Sequence, residues 1–184
     1  MKTFVIASKE EFAQSQGRLQ AIGVRNAERV DPVYTEDRCI RTRGETGCFR
    51  AHKNAWSKCA QQSASRCLIL ERDWTYGNQD PAHVKSELHA IDTSADLYQI
   101  GTGGMHAYTL SKQQAAKLST VHECDVGLPV DLWLWQQCDD GDMTCDEYVK
   151  DNMPDCYGGG LLQQNRRDMR GMHNKDNKMD KQYL

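Results

Sequence analysis

The hydrophobic pattern of the first half of the chain predicts strands that alternate with helices. Short apolar runs at residues 3–6 and 67–70 are typical of buried strands. Between them, apolar residues recur at helical spacing over residues 9–22 and again over residues 47–59. Residues 24–30 are expected to form a further strand, ended by an Asp-Pro pair. Alternating elements of this kind indicate an α/β domain with a mostly parallel central sheet flanked by helices.

The second half carries a weaker pattern. Residues 97–100 and 107–110 resemble strands, and a weak helix is predicted over residues 82–91. A Ser-x-x-Gln capping box opens a predicted helix at residues 112–119. A further short helix is expected over residues 129–135, and regular structure becomes sparse beyond it.

Length and composition favour one soluble domain. The chain has 184 residues, which is enough for one core, and we divide it into a domain at residues 1–164 and a polar tail at residues 165–184. The tail lacks a core pattern and is expected to be disordered or to close over the ligand site. The net charge of −3 is spread along the chain, so no nucleic-acid partner is expected. No apolar run is long enough for an integral membrane segment or a signal peptide, so we expect a cytoplasmic location.

The sequence contains eight cysteines, and their number alone is compatible with disulfides. They are scattered, however, and no Cys-x-x-Cys pair occurs, which argues against a zinc or redox site. Several lie at apolar periodic positions, where a free cysteine behaves as a small hydrophobic residue. We therefore expect reduced thiols.

Candidate chemistry lies where the strand at residues 67–70 ends. Glu71 and Asp73 follow this strand two residues apart, so their side chains are expected on one side, with Arg72 on the other. Ligands of α/β sheets bind beyond the carboxyl ends of the strands, and divalent metals that hold diphosphates prefer oxygen ligands. A solvated strand end is the alternative reading of the same acids.

Several ordered motifs surround these acids. The first consists of Gly47-Cys48, His52 and Trp56, followed by the apolar strand and Glu71-Arg72-Asp73. Later motifs are Ala107-Tyr108 with Ser111-Lys112 and Ala115, then Pro129-Val130-Asp131, and finally a looser Gly160-Leu-Leu-Gln-Gln164. Together they resemble glycosyltransferase family 25, which includes bacterial lipopolysaccharide galactosyltransferases and relatives of collagen galactosyltransferases. The chain departs from that pattern at Ala51, where the family has Ser, and at Arg72, where it has Asp.

The resemblance implies a GT-A-like fold with a single Rossmann-type domain. It also implies an inverting transfer of a hexose, such as galactose or glucose, from a UDP-sugar to a glycan or other hydroxyl acceptor, with Mn²⁺ or Mg²⁺ as cofactor. On this basis the predicted metal ligands are Glu71, Asp73 and His106. Glu71, His52 and Gln164 are predicted to bind the nucleotide-sugar, and Asp131 is the predicted catalytic base.

Each of these roles has a structural alternative. Asp131 precedes a short helix and would also suit an N-cap, while His52 lies on an apolar helix face and could be a core histidine. Trp133 and Trp135 could stack on a sugar or pack in the core. Tail arginines could clamp a phosphate or remain solvated: Arg166, Arg167 and Arg170.

Two other functions are compatible with the same sequence. One is a catalytically inactive glycosyltransferase-like module that binds a glycan or a partner. The other is a nucleotidyltransferase, although residues 101–104 lack the Lys and the helix start of a P-loop.

Overall fold

A computed structural model describes residues 1–101, 105–147 and 163–164 of the protein. The strands are β1 (Lys2–Ile6), β2 (Ala27–Val30), β3 (Arg66–Glu71), β4 (Trp74–Thr75), β5 (Leu97–Gln99), β6 (Ala107–Ser111), β7 (Cys145–Glu147) and β8 (Gln163–Gln164). The helices are α1 (Lys9–Ala21), α2 (Arg43–Ala60), α3 (Pro81–Ala90), α4 (Lys112–Leu118), α5 (Glu123–Val126) and α6 (Val130–Asp139). The predicted fold class, α/β with a mostly parallel sheet flanked by helices, is confirmed.

The central sheet has six strands in the order β2-β1-β3-β6-β5-β7. Strand β1 pairs in parallel with β2 and β3, and β5 pairs in parallel with β7. Strand β6 is antiparallel to both of its neighbours, so it alone among these strands reverses the direction of the sheet. A separate two-stranded ribbon joins β4 to β8.

Helices cover the two faces of the sheet unequally. On one, which we call the α2 face, residues of α2, α4 and α6 pack against alternate side chains of the strands, including Phe4, Ile69 and Tyr108. On the other, the α1 face, residues of α1 and α3 pack against the intervening side chains, including Val5 and Leu70. Successive strand residues point to opposite faces, and both faces of the central strands are buried.

Helix α2 begins four residues earlier than its hydrophobic pattern predicted. The hydroxyl of Thr42 accepts a bond from the amide of Glu45, and the Glu45 carboxylate accepts one from the amide of Thr42. This reciprocal capping box satisfies two amides that the first turn would leave without partners, so the helix begins at Arg43 instead of residue 47.

The expectation of reduced thiols is wrong for six of the eight cysteines. Disulfides join Cys39 to Cys124, Cys59 to Cys67, and Cys138 to Cys145, while Cys48 is free. The reason is tertiary: each bond joins two elements, or an element and a loop, that the fold brings together, and sequence spacing does not reveal which of them meet. Disulfides persist mainly in oxidising compartments, so they weigh against the predicted cytoplasmic location.

Within the described residues, no helix combines the length and apolar character needed to cross a bilayer. Short elements that the pattern did not reveal are β4, β7, β8 and α5. Each spans only two to four residues, which is too short for a hydrophobic periodicity to be recognised.

Candidate functional site

The charged residues Glu71 and Arg72 at the end of β3 turn to opposite faces of the sheet. Glu71 is the last residue of β3 and turns toward α2, where it contacts His52. Arg72 turns toward α1 and forms an ion pair with Glu11 at 2.5 Å. Asp73 follows in the turn before β4 and is 9% exposed. The sequence therefore places Arg72 apart from the contacts of Glu71, as the alternation of the strand predicts.

A chain of buried polar groups leads from the core to Glu71. Nε1 of Trp56 donates to the Tyr108 hydroxyl at 2.8 Å, and this hydroxyl lies 2.8 Å from Nδ1 of His52. Nε2 of His52 lies 2.8 Å from Oε1 of Glu71. We call Trp56, Tyr108 and His52 the polar chain; all three are 0% exposed. His52 is therefore both a core histidine and a contact of the candidate site.

Free Cys48 completes a compact group with His52 and Glu71. Its Sγ lies 3.7 Å from Oε1 of Glu71, and one ligand-type atom from each of the three residues falls within 4.8 Å of the others. Gly47 precedes it because a β-carbon there would collide with the carbonyl oxygen of Val33, where the incoming loop crosses α2. The Gly-Cys pair of the motif thus has a packing reason as well as a place at the site.

Charge couples this group to two further acids. Burial raises the pKa of Cys48 well above its ordinary value, and the negative charge of Glu71 raises it further. Asp131 and Asp73 raise the pKa of the same thiol through their charges. Three predicted site acids thus act on one thiol through their charges.

Glu71 itself remains an anion. Burial raises the pKa of Glu71, but the hydrogen bond from His52 lowers it, and contributions from His106 and Cys48 lower it further, so that the net shift is downward. Its pKa therefore lies below the ordinary glutamate value. A carboxylate held in this form is an acceptor on both oxygens.

Asp131 is not the N-cap that its position suggested. Helix α6 has Pro129 at its N-cap, and Asp131 lies in the first turn, where its Oδ1 accepts a bond from the amide of Leu132 at 2.9 Å. An acid in the first turn is favoured by the helix dipole. The side chain is partly exposed, so it is accessible to a ligand.

His106 lies just before β6 and is 2% exposed. A β-carbon at Gly101 would approach within 2.6 Å of its Nε2, so the ring packs directly on the backbone of that glycine. Its carbonyl oxygen accepts a bond from the amide of Glu71 at 2.8 Å, and its charge acts on the Glu71 carboxylate. His106 therefore lies beside Glu71 in the fold, and its role as a metal ligand stays a prediction.

The backbone of Gln164 lies near that of Asp73. It pairs in the β4–β8 ribbon with Trp74, the residue directly after Asp73. Residues 165–184, including the proposed arginine clamp of Arg166, Arg167 and Arg170, lie outside the described residues.

The two tryptophans of α6 have different environments. Trp133 is 7% exposed and packs against Phe49 and Trp56, which places it in the core. Trp135 is 37% exposed, and its indole nitrogen donates to Oε1 of Gln99 at 3.3 Å. Only Trp135 of the pair therefore presents a ring to solvent.

The sequence alone did not reveal Tyr108 and Trp56 as supports of Glu71. Both occur in the motifs, but each reads as an ordinary core aromatic, and their contact joins residues 52 positions apart. A buried Tyr or Trp needs a hydrogen-bond partner, which is the available hint that polar groups meet in this core.

The donor atoms fit a hard divalent cation in part. The carboxylates of Glu71, Asp73 and Asp131 are the oxygen ligands that Mg²⁺ and Mn²⁺ prefer. His52 fits poorly as a ligand because both ring nitrogens already have partners. A second group of potential ligands, Cys39, Glu123 and Cys124, offers no such site because its thiols form a disulfide and Glu123 pairs with Arg50.

Comparison with known proteins adds only a distant likeness. No protein-family model matches the chain, and no curated protein sequence matches it. Among solved structures, the chain is similar to a protein of Desulfovibrio desulfuricans G20 that is provisionally named a nucleotide-diphospho-sugar transferase. The TM-score is 0.43 at 11% identity, and the match covers 79% of this chain and 78% of that one. A likeness at this level carries no inference about individual residues.

Proposed function

We propose that the protein is a metal-dependent, inverting glycosyltransferase that uses a nucleotide-sugar donor. The observation that carries the proposal is the compact group of Cys48, His52 and Glu71 at the carboxyl end of β3, where Asp73 follows in the chain. Ligands of α/β sheets bind at this edge, and acids there suit a cation with a diphosphate. The motif resemblance to glycosyltransferase family 25 supports the same function and favours UDP-galactose or UDP-glucose.

In this proposal Asp73 and Glu71 hold Mn²⁺ or Mg²⁺, with His106 adjacent. The cation supplies Lewis-acid neutralisation of the charge that develops on the departing diphosphate. The low pKa of Glu71 keeps its carboxylate ionised and ready to accept a cation or a ribose hydroxyl. Gln164, beside Asp73 through the β4–β8 ribbon, would border the nucleotide.

Asp131 acts as the general base. It takes the proton of the acceptor hydroxyl as that oxygen forms a bond to the anomeric carbon, while the bond from this carbon to the diphosphate oxygen breaks and the electron pair leaves with the diphosphate. One displacement of this kind inverts the anomeric carbon through an oxocarbenium-like transition state. The accessible first-turn position of Asp131 and the effect of its charge on Cys48 support this role.

Trp135 provides a place for the acceptor glycan. It lies four residues after Asp131 on α6, so both side chains are on the same side of the helix. Its exposed ring is held by the bond to Gln99, and aromatic rings present flat apolar surfaces on which a sugar ring can lie.

Thermal unfolding with UDP, with and without Mn²⁺, tests the proposal. A ligand at about 100 times its dissociation constant stabilises a protein by about 2.7 kcal/mol, which corresponds to a rise in Tm of roughly 5–10 °C at this chain length. We expect the rise to require both UDP and Mn²⁺ and to disappear in Asp73→Ala. The matched control is Asp92→Ala, because Asp92 is an exposed acid in a loop after α3.

No rise with UDP or any other nucleoside diphosphate at millimolar concentration would contradict the proposal. It would favour the inactive, glycan-binding module, which a glycan array would then test. The main sequence argument for inactivity was Arg72 in place of an acid. Its pairing with Glu11 on the α1 face keeps it apart from Glu71, so we retain the enzyme as the proposal.

A further inference from the structure

The buried polar chain has a fixed direction because it begins at an indole. An indole nitrogen can only donate, so Trp56 donates to the Tyr108 hydroxyl. Within the described residues, the other partner of this hydroxyl is Nδ1 of His52, at 2.8 Å. The hydroxyl has one proton and already accepts from the indole, so it donates that proton to Nδ1.

An imidazole that accepts at Nδ1 and remains neutral carries its proton on Nε2. That proton is donated to Oε1 of Glu71 at 2.8 Å. If Nδ1 donated to the Tyr108 hydroxyl instead, the proton of that hydroxyl would have no acceptor among the described residues. The tautomer of His52 therefore follows from the chemistry of its neighbours.

Within the described residues, the side-chain contacts of Glu71 involve only one of its carboxylate oxygens. Oε1 meets Nε2 of His52 and, at 3.7 Å, the thiol of Cys48. The Glu71 side chain is nevertheless 26% exposed, so the carboxylate is open to a ligand on its other side.

We infer that the polar chain acts as a one-way hydrogen-bond relay that aims the Glu71 carboxylate and directs its Oε2 atom to the ligand. Trp56, Tyr108 and His52 are then positioning residues, which act on the ligand through Glu71. Groups of this kind fix the orientation of ligating side chains, and their loss typically weakens metal binding about 10–100-fold. Only this last step, toward a cation, rests on the proposed function.

Nitrogen-15 NMR of the histidine-labelled, metal-free protein tests the direction of the relay. We expect His52 to carry its proton on Nε2 and to have an unprotonated Nδ1. A proton on Nδ1, or on both nitrogens, at neutral pH would overturn the inference. The measurement uses the natural chain and therefore does not depend on the folding of a variant.

The substitution Tyr108→Phe keeps the ring and removes the relay hydroxyl. We expect the Nδ1 signal of His52 to shift as it loses its donor, and Mn²⁺ alone to bind about 10–100-fold more weakly. Tyr76→Phe is the control, because Tyr76 packs with the cluster on the α1 face. Unchanged His52 signals in Tyr108→Phe would overturn the relay. The predicted tautomer without any Mn²⁺ binding by the natural chain would support the relay and count against the proposed function.

Discussion

The two faces of the sheet use the same strands for different purposes. On the α1 face, Leu68 and Leu70 of β3 pack into an apolar cluster with residues of α1 and α3. On the α2 face, the same strand contributes Ile69 to the core and Glu71 to the polar chain. All three disulfides found in the described residues also involve the elements of the α2 face or the loops beside them.

This difference separates stability from function. Burying polar groups yields little net stability even when they are paired, whereas apolar burial is the main favourable term in folding. The α2 face carries the buried polar groups of the candidate site, and cross-links reinforce its loops and helix ends. The α1 face stabilises the sheet beneath that site. Substitutions on the two faces should therefore have different consequences.

The largest effect is expected from Asp131→Asn on the α2 side. Removal of the general base should lower the transfer rate by roughly 10²–10⁴-fold, while UDP binding stays unchanged. Glu87→Gln on α3 is the control across the sheet and should leave the rate unaltered. The measurement is single-turnover transfer from a UDP-sugar, and a rate within about threefold of the natural chain would exclude Asp131 as the base.

Loss of the long-range disulfide should have the next largest effect. Cys39 and Cys124 are 85 residues apart, and the chain-entropy model gives about 4.5 kcal/mol for a loop of that length. The Cys59–Cys67 bond, with a separation of 8 residues, should contribute only about 2.5 kcal/mol. Urea unfolding of the paired serine variants measures both free energies. Peptide mapping without reduction checks the pairing, and free thiols at these positions would contradict it.

Adjacent residues of β3 offer a direct test of the comparison. Leu70→Ala and Ile69→Ala each empty a fully buried position, and each should lower the free energy of unfolding by about 2–5 kcal/mol. Only Ile69→Ala should also weaken UDP binding, because Ile69 points to the same side as Glu71. Calorimetric titration below the Tm of each variant measures this binding. Equal weakening in both variants would mean that the two faces are not separable.

The smallest effect is expected from Arg72→Ala. Its ion pair with Glu11 is partly exposed, so its loss should cost at most about 1 kcal/mol and leave UDP binding unchanged. Burial raises the pKa of Glu11, but hydrogen bonds from Ser8 and Arg72 lower it below the ordinary value overall.

A carboxylate whose pKa is lower in the folded than in the unfolded chain stabilises the fold at pH values above its unfolded pKa. For a glutamate that pKa is about 4.3. That stabilisation is lost as the pH falls through the folded value. The difference between Arg72→Ala and the natural chain should therefore be constant near neutral pH and shrink below about pH 4.3. Urea unfolding between pH 3 and 7 measures it, and a difference that grows toward low pH would contradict this assignment.

The sequence by itself determined the elements that are long enough to show a hydrophobic pattern, and it determined the position of the acids after β3. The helical face of α2, the apolar run of β3 and the alternation of Glu71, Arg72 and Asp73 are local properties of consecutive residues. Such properties survive in any fold that buries the apolar positions. They were sufficient to predict the α/β class and to place Arg72 opposite Glu71.

Only the tertiary structure decided which distant groups meet. The reversal of β6 brings Tyr108 beside His52, and the ribbon of β4 and β8 brings Gln164 beside Asp73. The disulfides likewise depend on which element ends become neighbours. The spacing of residues along the chain does not predict these contacts. Strand order and the packing of helices on the sheet depend on how the whole apolar surface is buried, which no single segment determines.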